Sequence, residues 1–264
     1  MKSRARRRCA LTIAGSDSGG GAGLQADLKT YASVGVHGTS VVTSITAQNP
    51  DGVSGVHPVP GAMVTLQLRA VTEGFPIAAA KTGMLYSAGI IDRVASWAKG
   101  LRGTPLVVDP VMIATSGARL LRADAVRALR ERLLPLASIA TPNADEATAL
   151  TDASIRDRED LRAAARIFHD RYGCAVLVKG GHVPGPEAVD VLWDGRNEWV
   201  LGAPRVRGVS SHGTGCTYAA AIAGYLALGL ALPDAVRMAK GFITRAIECS
   251  VRVGRHAVLE SFWT

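Results

Sequence analysis

The hexapeptide Ser211-His212-Gly213-Thr214-Gly215-Cys216 has the most chemically suggestive spacing in the chain. Its two glycines leave backbone N–H groups unshielded, so a ligand can approach them closely. The small, apolar run that follows, Thr217 to Leu228, predicts a buried helix. The first turn of a helix has N–H groups without internal partners, and its dipole favours anions. The stretch therefore predicts an oxyanion site, fit for a phosphate or for the charge that builds during its transfer. Cys216 stands at the same helix start, where a thiol pKa tends to fall. The plainer alternative is a turn that only opens a helix.

A second group of polar residues stands where short strands should end. Ser40 to Ala47 is β-branched and alternating, and it runs into Gln48 and the turn residues Asn49 to Gly52. Ala78–Lys81, Leu106–Val108, Ser138–Ala140 and Ala175–Val178 read as further strands. Lys81, Asp109, Asn143 with Glu146, and Lys179 lie at or just past their ends. Several such residues at one edge of one sheet predict a shared crevice. Asp109 and Glu146 are hard oxygen donors suited to Mg²⁺, and Lys179 can neutralise phosphate oxygens. Metal, cation, backbone donors and an acceptor pocket are the parts phosphoryl transfer requires. The plainer readings stay open: Asp109 before Pro110 as a turn, Glu146 as a first-turn dipole partner.

Elements in alternation must position these residues. Cys9 to Ala14 reads as a buried strand, Gly15 to Gly23 as a loop with five glycines, and Leu24 to Val34 as an amphipathic helix. The loop matches neither the P-loop nor the G-x-G-x-x-G pattern. Helical spacing recurs over Met63–Val71, Ile90–Ala98, Ala123–Leu134, Asp160–Tyr172 and Pro233–Val251. Thr141-Pro142 predicts a helix start with proline in its first turn, the helix carrying Asn143 and Glu146. Val111 to Leu121, with Thr115-Ser116-Gly117 inside, is a candidate flap after a strand end. Val189–Trp193 and Arg196–Val200 form a hairpin across Asp194-Gly195, a small extension. The alternation predicts one α/β domain over residues 10–264 with a mainly parallel sheet.

Composition narrows the classes. The formal charge is +8, part of it in the tail of residues 1–9 with its arginine run Arg4 to Arg8. The apolar stretch after that run is too short for a secretory signal and meets Asp17 and glycines at once. No aromatic-plus-basic module points to nucleic acid. No run approaches the ~20 apolar residues that span a bilayer. Cys9, Cys174, Cys216 and Cys249 lack metal-ligand spacing, which predicts a reducing, cytoplasmic setting.

Taken in order, the motifs are specific together. The segments Ala10 to Lys29, Thr46-Ala47-Gln48-Asn49, Lys81 to Met84, Val108 to Met112, Thr141 to Glu146, Val178 to His182 and His212 to Cys216 resemble bacterial hydroxymethylpyrimidine/phosphomethylpyrimidine kinases of thiamine biosynthesis. The resemblance spans about residues 10–250. It implies a ribokinase-like, three-layer αβα fold and a cytoplasmic homodimer that uses ATP and Mg²⁺. It implies phosphorylation of 4-amino-5-hydroxymethyl-2-methylpyrimidine and then of its monophosphate. By the same resemblance Gln48 meets the aminopyrimidine edge, with Gly15, Asp27, the Val41–Thr46 backbone, Met84 and Val111 around the ring. Asp109 and Glu146 fall at the metal. Asn143, Lys179, Thr214 and Lys240 fall on the nucleotide side. Gly213, Thr214 and Gly215 match the anion hole, Lys179 stands beside it, and Cys216 takes the catalytic position. Related sugar kinases place an Asp there as base. A weaker base suffices where positioning and charge stabilisation dominate.

Three other readings compete. A pyridoxal kinase of the same fold also acts on a hydroxymethylated nitrogen ring. A cysteine hydrolase would need Cys216 and His212 paired, which the intervening glycines do not support. A nucleic-acid binder would act through the basic tail.

Overall fold

The computed structural model describes residues 7–114, 117–206 and 212–263. In chain order the elements begin β1 (Cys9–Ala14), α1 (Gly23–Ser33), β2 (His37–Val42), β3 (Ser44–Asn49), β4 (Gly52–Pro58), α2 (Gly61–Gly74), β5 (Ile77–Thr82) and α3 (Ala88–Ala98). They continue with β6 (Leu106–Val108), α4 (Ala123–Ala128), β7 (Ile139–Ala140), α5 (Ala144–Thr151), α6 (Arg158–Tyr172), β8 (Ala175–Lys179), β9 (Glu187–Trp193) and β10 (Glu198–Pro204). The last are α7 (Thr214–Ala227), α8 (Leu232–Glu248), β11 (Val251–Val253) and β12 (His256–Val258).

Eight strands form one sheet in the order β10-β9-β8-β7-β6-β5-β1-β2. The pairs from β2 to β8 are parallel, and β9 and β10 close one edge antiparallel. Strands of the parallel part are nearly continuous apolar runs because helices cover both faces. Leu11, Ile13, Val108, Val176 and Val178 face one core, shared with α2 to α6. Ala10, Val107 and Leu177 face the other, shared with α1, α7 and α8. The fold is thus three-layer αβα. From β1 the chain passes to β2 on one side, while β5 takes the other side. The carboxyl ends around that switch point are where open α/β sheets form a ligand crevice.

The observed elements depart from expectation where local pattern carries little information. The predicted strand Ser40–Ala47 is two strands: β2 stays in the main sheet, and β3 pairs only with β4 in a separate hairpin. Thr43 makes the break, its N–H donating to the Ala14 carbonyl and its hydroxyl to that of Met84. Unbroken β-branched alternation hid the joint. The Asp194-Gly195 hairpin extends the main sheet as its antiparallel edge. Helix α7 starts at Thr214, so Gly215 and Cys216 lie inside its first turn rather than ahead of it. Pro142 stays outside α5, which Asn143 caps instead. The predicted helix Ala123–Leu134 is α4 followed by a π turn over Leu129–Leu133 and a 3₁₀ turn over Leu134–Leu136.

Candidate active site

The expected oxyanion site falls at the start of α7. Gly213 caps it in the left-handed region at φ 79°, which a glycine adopts without strain. A Cβ on Gly213 would also stand 1.8 Å from the carbonyl oxygen of Gly21, so the glycine loop packs directly on the helix start. A Cβ on Gly215 would stand 3.3 Å from Lys179 Nζ and 3.9 Å from Asp109 Oδ2. Two glycines therefore let four elements converge: the loop after β1, the first turn of α7, and the ends of β6 and β8. Ser211, the first residue of the motif, lies outside the described residues, as do Thr115 and Ser116 of the candidate flap. The remaining flap forms an antiparallel bridge, Ile113 to Arg119, above the crevice.

Charges are concentrated at the strand ends. Lys179 Nζ donates to Asp109 Oδ1 at 3.0 Å, and Thr141 Oγ1 donates to the same oxygen at 3.1 Å. Burial works against the Lys179 ammonium, but Asp109 and Glu146 outweigh it and raise its pKa, so it stays charged. Glu146 serves the local fold first. It completes a capping box on α5, accepting from Asn143 N–H at 2.9 Å while Asn143 Oδ1 accepts from Glu146 N–H at 2.8 Å. Burial pushes the Glu146 carboxyl up to about 7, with nearby Asp109 adding to the shift and Lys179 opposing it. Cys216 reverses an expectation. Burial lifts its thiol to about 11 despite the opposing Lys81 charge, so the helix start does not make it a thiolate at neutral pH.

The glycine loop is organised by Asp17, which sequence reasoning missed. Its carboxylate accepts from the N–H groups of Gly19, Gly21 and Ala22, at 2.8, 3.0 and 2.8 Å. Its Oδ2 also lies 2.9 Å from His212 Nε2. An aspartate two residues before a glycine is the available signal, because Asp side chains bond their own backbone two residues on. The same loop carries the β3–β4 hairpin. Gln48 N–H donates to Ser18 Oγ at 2.8 Å, and Ser18 Oγ lies 2.7 Å from the Gln48 carbonyl oxygen. Thr46 Oγ1 donates to the Ser16 carbonyl at 2.7 Å and reaches Gln48 Oε1 at 3.1 Å. Gln48 thus enters from a hairpin, not from the end of a main-sheet strand.

One cleft of about 330 Å³ is bordered by Gln48, Asp109, Val111, Asn143, Glu146, Lys179, Gly213, Thr214, Gly215, Cys216 and Lys240. His182, Arg205 and His212 border it too and were not among the expected residues. Gly15, Asp27 and Met84 do not border it. Gly15 packs on Met84, whose Sδ would lie 3.0 Å from a Cβ at Gly15. Asp27 is fully buried beneath the crevice, both oxygens bonded to Lys81 Nζ at 2.9 Å and one also to Thr12 Oγ1 at 2.5 Å. With no exposed surface it cannot line a pocket, so its expected place against the ring is corrected. Lys240 borders the cleft, but its ammonium is bound to Asp190 Oδ2 at 2.7 Å and the Ala188 carbonyl at 2.9 Å. It braces the wall rather than standing as an unpaired cation.

Comparison with known proteins bears on the family and the fold. The family model for phosphomethylpyrimidine kinase matches residues 17–259. The hydroxymethylpyrimidine/phosphomethylpyrimidine kinase of Streptomyces coelicolor is 48% identical over 92% of this chain and 90% of its own. The thiamine biosynthesis bifunctional protein ThiED of Geobacter sulfurreducens is 50% identical over 94% of this chain, which spans only 51% of that longer protein. Among solved structures, an ADP complex of Bacillus subtilis pyridoxal kinase superposes with a TM-score of 0.90 at 37% identity, covering 97% of this chain and 98% of that one. The fold is therefore that of ribokinase-like vitamin kinases. On the family match and on relatives about half identical along nearly its full length, the chain belongs to the phosphomethylpyrimidine kinase family.

Proposed function

We infer that this ATP-dependent kinase phosphorylates hydroxymethylpyrimidine and then its monophosphate, in thiamine biosynthesis. The observation that carries the reading is the first turn of α7, whose amides open beside Lys179 Nζ and Asp109 while Cys216 stands on the same turn. Those amides and the Lys179 ammonium stabilise the charge that develops on the transferring group. Gln48 reads the acceptor. Thr46 Oγ1 lies 3.1 Å from the Gln48 amide and helps hold it, and the amide offers both a donor and an acceptor to an aminopyrimidine edge. Cys216 receives the alcohol proton in the first step through its minor thiolate form, so that step speeds up as pH rises toward 11, and the second acceptor, already an anion, needs no such base.

Mg²⁺ is held through one or two carboxylates, with phosphates and water completing its shell. Asp109 and Glu146 suit that role. Asp109 Oδ1 carries both the Lys179 and Thr141 bonds while Oδ2 faces Gly215, and its charge helps raise the Glu146 pKa. Among the described residues no cluster of three or more His, Cys, Asp or Glu offers an all-protein cage. When bound, the ion neutralises phosphate charge; the chain's own groups orient and desolvate. Residues 10–264 act as one kinase unit behind the basic tail, although β1 takes in Cys9. A homodimer belongs to the same reading, supported by the exposed apolar residues Ile45, Met63 and Leu66 on β3 and α2. A cytoplasmic setting is supported by four unpaired cysteines. No helix among the described residues is long and apolar enough to cross a membrane.

A time course with ATP, Mg²⁺ and hydroxymethylpyrimidine tests the reading. Monophosphate should rise first and diphosphate follow; monophosphate alone would remove the second activity. The pyridoxal kinase likeness at 37% identity favours one competing acceptor. Turnover on pyridoxal above that on the aminopyrimidine would replace the assignment.

A further inference from the structure

We propose that Asp17, acting through His212, is a positioning residue that fixes the distance between the acceptor pocket and the anion hole. This rests on the phosphoryl-transfer reading above. Asp17 is 1% exposed and lies outside the cleft lining, so it meets neither ATP nor acceptor. A buried carboxylate is costly unless its oxygens are bonded. Here Oδ1 accepts from Gly19 N–H, while Oδ2 accepts from Gly21 and Ala22 N–H and meets His212 Nε2. Burial pushes the carboxyl up, but the His212 bond and the loop amides pull it lower still.

Two arms leave this hub. One is the glycine loop, whose Ser16 and Ser18 hold β3 and so carry Gln48. The other is His212, followed at once by Gly213, the cap of α7. Gly213 in turn touches Gly21 of the loop. The acceptor-reading hairpin and the phosphate-holding helix start belong to distant parts of the chain, and the Asp17 carboxylate joins them in one bonded set. Misplacing reacting groups by about 1 Å costs about 10²-fold in rate.

Steady-state kinetics with ATP and hydroxymethylpyrimidine on five proteins test this: wild type, Asp17→Asn, His212→Ala, His212→Gln and the Asp17→Asn/His212→Ala double variant. Each of Asp17→Asn and His212→Ala should lose about 10²-fold in kcat with both KM values near wild type. The double variant should be no slower than the slower single, because both break one link. His212→Gln, whose amide reaches the position of Nε2, should recover most of the rate. Should Asp17→Asn fail to fold, the two His212 variants decide, since they keep all three loop-amide bonds. A loss carried by KM, multiplying effects in the double variant, or a glutamine variant as slow as alanine would overturn the proposal. Absence of turnover by wild type would overturn the underlying reading and the proposal with it.

Discussion

Gly213 and Gly21 are in contact: a methyl group on the first would lie 1.8 Å from the carbonyl oxygen of the second. Gly213 also sits at φ 79°, so Gly213→Ala meets both a clash with backbone and a strained conformation. Left-handed strain alone costs of order 1–3 kcal/mol. The variant should melt earlier by denaturant titration and lose at least about 10²-fold in kcat, the scale on which single oxyanion donors act. Wild-type turnover in a folded Gly213→Ala protein would show that the two loops are free to separate.

Cys216, half-buried at the cleft wall, should behave as an un-ionised thiol in the unliganded protein. With its pKa at about 11, alkylation by iodoacetamide should be slow at neutral pH and accelerate steadily toward pH 11. Cys216→Ala should slow the alcohol step by about 10²-fold, within the range of general-base contributions, and slow the phosphate step much less. Equal slowing of both steps would remove the cysteine from proton transfer.

Glu146 gives the metal-free protein a pH signature. Below its ordinary value of 4.5 both folded and unfolded chains hold the proton, and above about 7 neither does. Between those values only the folded chain holds it, so stability falls as pH rises and the loss is complete above about 7. Glu146→Gln keeps an oxygen for the Asn143 N–H and should flatten this part of the melting curve against pH. An unchanged slope would place the titration elsewhere.

The Lys81–Asp27 pair should matter most when half of it is removed. Both side chains are fully buried, and each is the other's charge partner. Lys81→Met leaves Asp27 unpaired and should cost about 3–5 kcal/mol by urea unfolding. Adding Asp27→Leu should return a large part of that loss. A double variant less stable than Lys81→Met would show that the carboxylate stabilises the fold without its lysine.

Much of the layout could be read from residue order, and the misses have physical causes. The strand ends bearing Asp109, Asn143 and Lys179 were legible because parallel strands are short apolar runs that stop at polar residues. The Gly213–Gly215 start was legible because glycine spacing has few other uses before a buried helix. The joint at Thr43 was not, since alternation carries no mark where consecutive strands change sheets. The resemblance placed Asp27 at the pocket, and residue order alone shows neither its depth nor Lys81 across the β1–β5 pair. The bond between Asp17 and His212 was not legible because the two are distant in the chain; their partnership arises only when the chain closes.

The β3–β4 ribbon hangs from the glycine loop and forms no part of the eight-stranded sheet. On the proposed reading, a substitution on this ribbon shifts the choice of acceptor ring and leaves the strand pairing of the main sheet as it is.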